Sequence, residues 1–129
     1  MNYRTTPRWG DAVRGLTGKR GVDLVIEVGG GETLAQSLRA VRPGGTISLI
    51  GVLSGGLSSL RLEPILMRQV RVQGIFVGHR DGFEAMNRAV AASGLRPVVD
   101  AVFPLAEARA ALAHMAAGAH FGKIAIAIG

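Results

Sequence analysis

The sequence predicts an α/β fold built on a parallel sheet, and three observations carry that expectation. Short, mostly apolar, β-branched runs alternate with segments of helical apolar spacing along the whole chain. The run Val22 to Val28 is mostly apolar and β-branched, as expected for a strand buried in a parallel sheet, and Lys123 to Ile128 alternates. Glycine-rich turns mark the junctions, at Gly18, Gly29-Gly30-Gly31 and Pro43-Gly44-Gly45. No internal repeat and no low-complexity linker interrupts the pattern.

Each element follows in order. Trp9, Val13 and Leu16 recur at helical spacing, and Gly18 can end that helix. Val22 to Val28 reads as a buried strand. Leu34, Leu38 and Val41 form the next helical stripe, broken by Pro43-Gly44-Gly45. Thr46 to Val52 is a second strand, and Leu53 to Ser59 is a loop of small residues. Leu62 to Met67 is a short helix with Pro64 in its first turn. Val70 to Val77 is a third strand, with Gly74 inside it. Phe83, Met86, Asn87 and Val90 then share one helical face. Pro97 to Phe103 is extended, Ala106 to Ala117 is an alanine-rich helix, and Lys123 to Ile128 is a closing strand.

Composition narrows the function classes. The chain has 129 residues, one domain's worth, and 48% of them are apolar, enough for a core. With no cysteine, disulfides and thiolate metal sites are excluded. The N-terminal stretch Met-Asn-Tyr-Arg-Thr-Thr-Pro-Arg has no apolar region of a secretory signal, and no run is long enough for a membrane helix. A cytoplasmic protein with no membrane partner is the expectation. The net charge of +6 comes from scattered basic residues without a run of five, and only 5% of residues are aromatic. Stacking platforms are therefore few, and nucleic acid is not an expected partner.

The stretch Ile26-Glu-Val-Gly-Gly-Gly-Glu-Thr-Leu34 runs from strand through glycines into helix, an order that many phosphate sites use. It is not a dinucleotide fingerprint. In G-x-G-x-x-G counted from Gly29, the third glycine falls on Leu34, and Glu32 places a negative charge where a pyrophosphate would sit. The turn is expected to redirect a strand into a helix. In open α/β sheets ligands lie beyond the carboxyl ends of the strands. Three such ends are marked by glycine: Val28-Gly29-Gly30, Ile50-Gly51-Val52 and Phe76-Val77-Gly78. Together they suggest one side of a cleft that a flat ligand can approach closely.

Several stretches resemble the medium-chain dehydrogenase/reductase family, its zinc-type alcohol dehydrogenase-like and quinone oxidoreductase-like members in particular. They are Gly21 to Gly29, Leu34 through Arg42-Pro-Gly-Gly-Thr-Ile47 to Gly51, Gly74 to Gly78, and His120-Phe-Gly-Lys-Ile124. The resemblance covers nearly the whole chain, in order. It implies a partial Rossmann-like doubly wound sheet, the C-terminal half of the cofactor domain over residues 1–78. Residues 79–129 would be helices and a strand that return to a catalytic domain. Asn2-Tyr3 would end the third strand of such a domain, and the three strands above would be its fourth, fifth and sixth.

By resemblance the chain would hold the nicotinamide half of NAD or NADP. Val28, Gly29 and Gly30 would lie near the nicotinamide ribose. Ile50, Gly51 and Val52 would lie under the ring, and Ile75, Phe76 and Val77 would meet the carboxamide through backbone groups. Lys123 matches a basic position near the cofactor. The phosphate loop, the group that reads the adenosine ribose and the zinc ligands belong to parts of the family pattern not found in these residues. No catalytic residue and no zinc are therefore expected in this chain, and little activity from it alone. The substrate of the complete enzyme would be an alcohol, aldehyde, quinone or enone.

Other residues have plainer readings. His79, His114 and His120 show no zinc spacing and no recognisable carboxylate partner. Asp23 reads as a solvated strand start, Lys123 as exposed, and Met67, Met86 and Met115 as core filling. In the order 3-2-1-4-5-6, Val22 to Val28 would be an edge strand here. The opposite edge, Val70 to Val77, would pair with its twin to make a homodimer, Gly74 leaving room for the approach. Two other readings remain open. The run from Asp23 to Ile47 also resembles a class I S-adenosylmethionine methyltransferase, which would require a late antiparallel hairpin. The chain could also be a non-enzymatic α/β interaction module.

Overall fold

The structure, a computed structural model, describes residues 2–129. The chain divides into two compact units, one ending at Val77 and the other running from Gly78 to Gly129.

The first unit holds α1 (Trp9–Leu16), β1 (Val22–Glu27), α2 (Leu34–Ala40), β2 (Val41–Leu49), α3 (Glu63–Met67) and β3 (Arg71–Gly74). Its three strands lie in the order β1-β2-β3, all parallel. Val25 stands beside Ile47, and Ile47 beside Val72. Since side chains alternate across a strand, Val25 and Ile47 point to the face that α2 covers. There Leu38, Val41, Ile47 and Val70 are buried together, with Val25, Leu34, Leu60 and Ile65 packed against them. That cluster holds the unit together through apolar burial, at roughly 1.5–3 kcal/mol for each large side chain fully removed from water.

Several boundaries differ from those expected. The second strand begins at Val41 and runs through Pro43-Gly44-Gly45, which the chain accommodates as an irregularity between Val22 and Leu24 in the pairing. A bulge absorbs the proline and glycines at the sheet's amino end instead of breaking the strand. The third strand is only Arg71–Gly74: Val70 is buried in the core at 6% exposed, and its N–H donates to Ile65 O at 3.0 Å, in the turn after α3, rather than to the ladder. Tyr3 lies in a turn rather than a strand, closed by Thr6 N donating to Asn2 O at 2.9 Å and Arg4 N to Asn2 Oδ1 at 2.9 Å. Leu16 is exposed, so the buried side of α1 rests on Trp9, Gly10 and Val13. Met67, Met86 and Met115 are all exposed and fill no core in their units.

The second unit holds α4 (Arg80–Ser93), β4 (Val99–Pro104), a 3-10 turn (Leu105–Glu107), α5 (Ala108–Ala116) and β5 (Lys123–Ala127). His79 caps α4, its Nδ1 accepting from Gly82 N at 3.2 Å, and Gly94 ends that helix in the left-handed region. β4 and β5 are parallel, joined through α5, with Ala111 buried. A parallel pair here differs from the antiparallel hairpin that the methyltransferase reading requires. Among the described residues no helix is long and apolar enough to cross a membrane.

Candidate functional site: the carboxyl ends of the parallel strands

The turn after β1 is built around Glu27. Its side chain is buried, 3% exposed, at the end of an otherwise apolar strand. The carboxylate accepts from Gly29 N at 2.7 Å, Gly30 N at 2.9 Å and Thr33 Oγ1 at 2.6 Å, and also from Ser37 Oγ. Burial pushes this carboxyl up, but the hydrogen bonds from Ser37, Thr33, Gly30 and Gly29 outweigh it and hold it below the usual glutamate range. A carboxylate from the chain itself thus takes the backbone donors that a phosphate would use elsewhere. This settles the glycine turn: it is closed by an internal anion.

The same turn is locked to the loop after β2. Ser54 N donates to Gly29 O at 2.7 Å, Leu53 N to Val28 O at 3.1 Å and Gly31 N to Gly55 O at 2.8 Å. Ser54 Oγ donates to Gly29 O at 2.8 Å and accepts from Glu32 N at 3.1 Å. The expectation that glycine leaves clearings for a flat ligand is corrected here. A Cβ at Gly29 would collide with Thr33 Oγ1, at Gly30 would meet the Val52 Cα at 2.8 Å, and at Gly51 the Val28 O at 2.8 Å. The chain's own atoms fill that space, so the glycines serve loop-to-loop contact. At Gly78 nothing lies within 4 Å, but that residue belongs to the second unit.

What the strand ends do present is apolar side chain. Ile50 N donates to Glu27 O at 2.9 Å and Ile75 N to Leu49 O at 2.9 Å, so Val28, Ile50 and Ile75 continue the three strands side by side. Leu24, Ile26 and Val28 alternate with the inward Val25 and Glu27, and all three are about half exposed. Val28 is 46% exposed, Ile50 47%, Val52 55% and Ile75 49%. Phe76 and Val77 follow, still more exposed. The first unit therefore brings together Val28, Gly29, Gly30, Ile50, Gly51, Val52 and Ile75. Lys123 lies in the second unit, exposed at the start of β5, its N–H donating to Val98 O at 2.9 Å.

Two features were not anticipated from the sequence. Glu27 and Ser54 organise the turns, as just described. In the second unit Asp100 joins three elements: His114 Nε2 lies 3.3 Å from Asp100 Oδ2, and Phe121 N donates to Asp100 Oδ1 at 3.2 Å. His114 and His120 pack with ring centroids 6.0 Å apart, so His114 does have a carboxylate partner, drawn from a distant strand. The Phe121 N–H first, and then His114, hold the Asp100 carboxyl low. Among the described residues no group of three or more His, Cys, Asp or Glu could hold a metal ion.

The sequence matches the zinc-binding dehydrogenase family over residues 1–126. A zinc-type alcohol dehydrogenase-like protein of Schizosaccharomyces pombe is 36% identical, over 99% of this chain and 38% of its own length. The crystal structure of a putative alcohol dehydrogenase from Sinorhizobium meliloti superposes with a TM-score of 0.83 at 46% identity, covering 93% of this chain and 35% of the other. That of an NAD-dependent alcohol dehydrogenase superposes with a TM-score of 0.82 at 29% identity, covering 95% of this chain and 36% of the other. Parallel strands with helices between them, an apolar row at their carboxyl ends and a match along almost the whole chain define one class of protein. The chain belongs to the zinc-binding dehydrogenase family. It spans little more than a third of the length of these relatives.

Proposed function

We propose that the chain forms the nicotinamide side of the cofactor site of an NAD- or NADP-dependent alcohol dehydrogenase-like oxidoreductase. The observation that carries this reading is the row of exposed apolar side chains, Val28, Ile50 and Ile75, at the carboxyl ends of three adjacent parallel strands. It is supported by the family match and by the NAD dependence of a structural relative. When bound, the nicotinamide supplies hydride exchange with an alcohol, aldehyde, quinone or enone. The chain's own residues would position and dry that ring. Val28, Ile50 and Val52 would cover one face, and the backbone of Ile75, Phe76 and Val77 would meet the carboxamide. Gly29, Gly30 and Gly51 would act indirectly, by letting the two loops pack so that the row stays flush. Lys123 belongs to the second unit. That unit would join the catalytic part of the complete enzyme, in a cytoplasmic setting.

The 129 residues hold no G-x-G-x-x-G turn to anchor a diphosphate, so dinucleotide binding by this chain should be weak. Fluorescence titration with NADH and NADPH tests this, alongside thermal shift with S-adenosylmethionine. The expected result is binding no tighter than roughly micromolar for either dinucleotide, on the scale where each factor of ten is about 1.4 kcal/mol. Sub-micromolar dinucleotide affinity would overturn the half-site reading, and stabilisation by S-adenosylmethionine alone would overturn the nicotinamide assignment.

We further propose a homodimer through β3 and the residues that continue it, the segment Val70 to Val77. β3 is an outer strand, its four residues are exposed, and a Cβ at Gly74 would meet nothing within 4 Å. An open edge of this kind can pair with a second copy.

A further inference from the structure

A groove of about 820 Å³ runs along the helical side of the first unit, between α1, α2 and the segment leading through α3. That volume is within the range of small-molecule sites. Four guanidiniums line it, those of Arg14, Arg39, Arg61 and Arg68. Two have carboxylate partners: Arg39 Nε lies 2.7 Å from Asp11 Oδ1, and Arg61 NH2 lies 2.8 Å from Glu63 Oε1. Asp11 is shared with Arg8, whose NH2 is 2.7 Å from its other oxygen.

Arg14 and Arg68 have no carboxylate partner among the described residues, and both are half-buried. They donate to backbone carbonyls instead, Arg14 to Lys19 O, and Arg68 to Leu38 O at 2.6 Å and to Val41 O. Burial, then the like charges of Arg14 and Arg39, hold the Arg68 guanidinium below its usual range, so the three cations repel one another. Helix-end carbonyls account for one cation at each helix terminus. They do not account for three helix ends presenting theirs to one groove with too few carboxylates to balance them.

We propose that this groove binds a phosphate monoester, its dianion held by Arg14 and Arg68 and its organic body against Leu60 and Met67. Planar guanidiniums suit a phosphate because they can donate two parallel hydrogen bonds. Unlike an isolated surface arginine, Arg14 is already fixed by one backbone bond and Arg68 by two, one from each terminal nitrogen, so both need little ordering and present their remaining N–H groups. Arg39 also lines the groove, its Nε bonded to Asp11 Oδ1 at 2.7 Å. Arg14 and Arg39 lie in the last turns of their helices and Arg68 just after α3. In a parallel α/β unit these helix ends lead into the amino ends of the strands, away from the apolar row. The site is thus independent of the nicotinamide reading.

The test is an NMR titration of the full chain, observing the arginine Nε–H signals. Adenosine monophosphate, inorganic phosphate and sodium chloride are compared at matched ionic strength. Adenosine monophosphate should shift Arg14 and Arg68 saturably, inorganic phosphate should shift the same signals with lower affinity, and chloride should not. Arg14→Gln should weaken binding by about tenfold, the loss expected of one charge-assisted contact. Arg88→Gln, on an exposed residue of the second unit, should leave affinity unchanged. If Arg14→Gln does not fold, Arg14→Lys, which keeps the charge and loses the planar fork, carries the same test, with about a threefold loss. Shifts that rise linearly with salt, phosphate binding as tight as the nucleotide, or equal losses in the Arg88 variant would overturn the proposal.

Discussion

Replacing Glu27 by glutamine should destabilise the first unit by about 2 kcal/mol. The carboxylate accepts four hydrogen bonds in a site that is 3% exposed. Glutamine keeps one oxygen, so Gly29, Gly30 and Thr33 retain an acceptor, but a neutral one. It sets an amide nitrogen against Ser37, whose hydroxyl must then turn to accept. Hydrogen bonds to a charged group contribute about 1.5–3 kcal/mol and neutral ones about 0.5–1.5, so the set should lose about 2. Alanine should cost more, about 4 kcal/mol, because Gly30 N and Ser37 Oγ would be buried without a partner. Urea unfolding followed by the fluorescence of Trp9, the single tryptophan, reads the first unit selectively. The pH dependence gives a second signature. The folded carboxyl is held below its ordinary value near 4.5, so it stabilises the fold above that value, and the contribution is lost as pH falls through the lower, folded-state pKa. The glutamine variant should lack that acid limb. A loss under about 0.5 kcal/mol, or an unchanged acid limb, would refute the view that Glu27 closes the turn.

Other predictions follow from packing and charge. Gly30→Ala forces a Cβ to 2.8 Å from Val52 Cα at a φ of +87° and should cost about 2–4 kcal/mol in the same urea assay. Gly74→Val meets open space, so it should change stability by less than about 1 kcal/mol while lowering the mass seen by light scattering from dimer to monomer. A monomeric mass for the unaltered chain at micromolar concentration would count against the dimer. Asp23 is held low by hydrogen bonds from Arg20 and then Arg42, in exposed pairs. Its NMR titration midpoint should rise in molar salt, because exposed charges are screened; a salt-independent midpoint would contradict this.

The first two strands and the helix between them are legible because apolar run and glycine punctuation agree with one another at Val22, Leu34 and Ile47. The ends of strands were harder to place. Val70 looks like strand by composition but is taken by the core, and Pro43-Gly44-Gly45 looks like a break but is carried as a bulge. The glycines carry a different ambiguity. A glycine permits close approach without saying of what, and here the neighbours of Gly29, Gly30 and Gly51 are the chain's own atoms. A signal for this was present: Glu27 ends an apolar strand, and Thr33 and Ser37 stand four residues apart so that both hydroxyls face it. The Asp100, His114 and Phe121 contact had no such signal, since a strand, a helix and a distant loop meet there only through the pairing of β4 with β5.

Methyl NMR with reduced nicotinamide riboside, the nicotinamide and its ribose without a phosphate, addresses the proposed site most directly. The methyl groups of Val28, Ile50, Val52 and Ile75 should shift together and saturate at roughly millimolar concentration, as a small ligand without a phosphate anchor should. The core methyls of Leu38 and Ile47 should stay still. Saturating shifts elsewhere with that row unmoved would contradict the assignment of the strand ends to the nicotinamide.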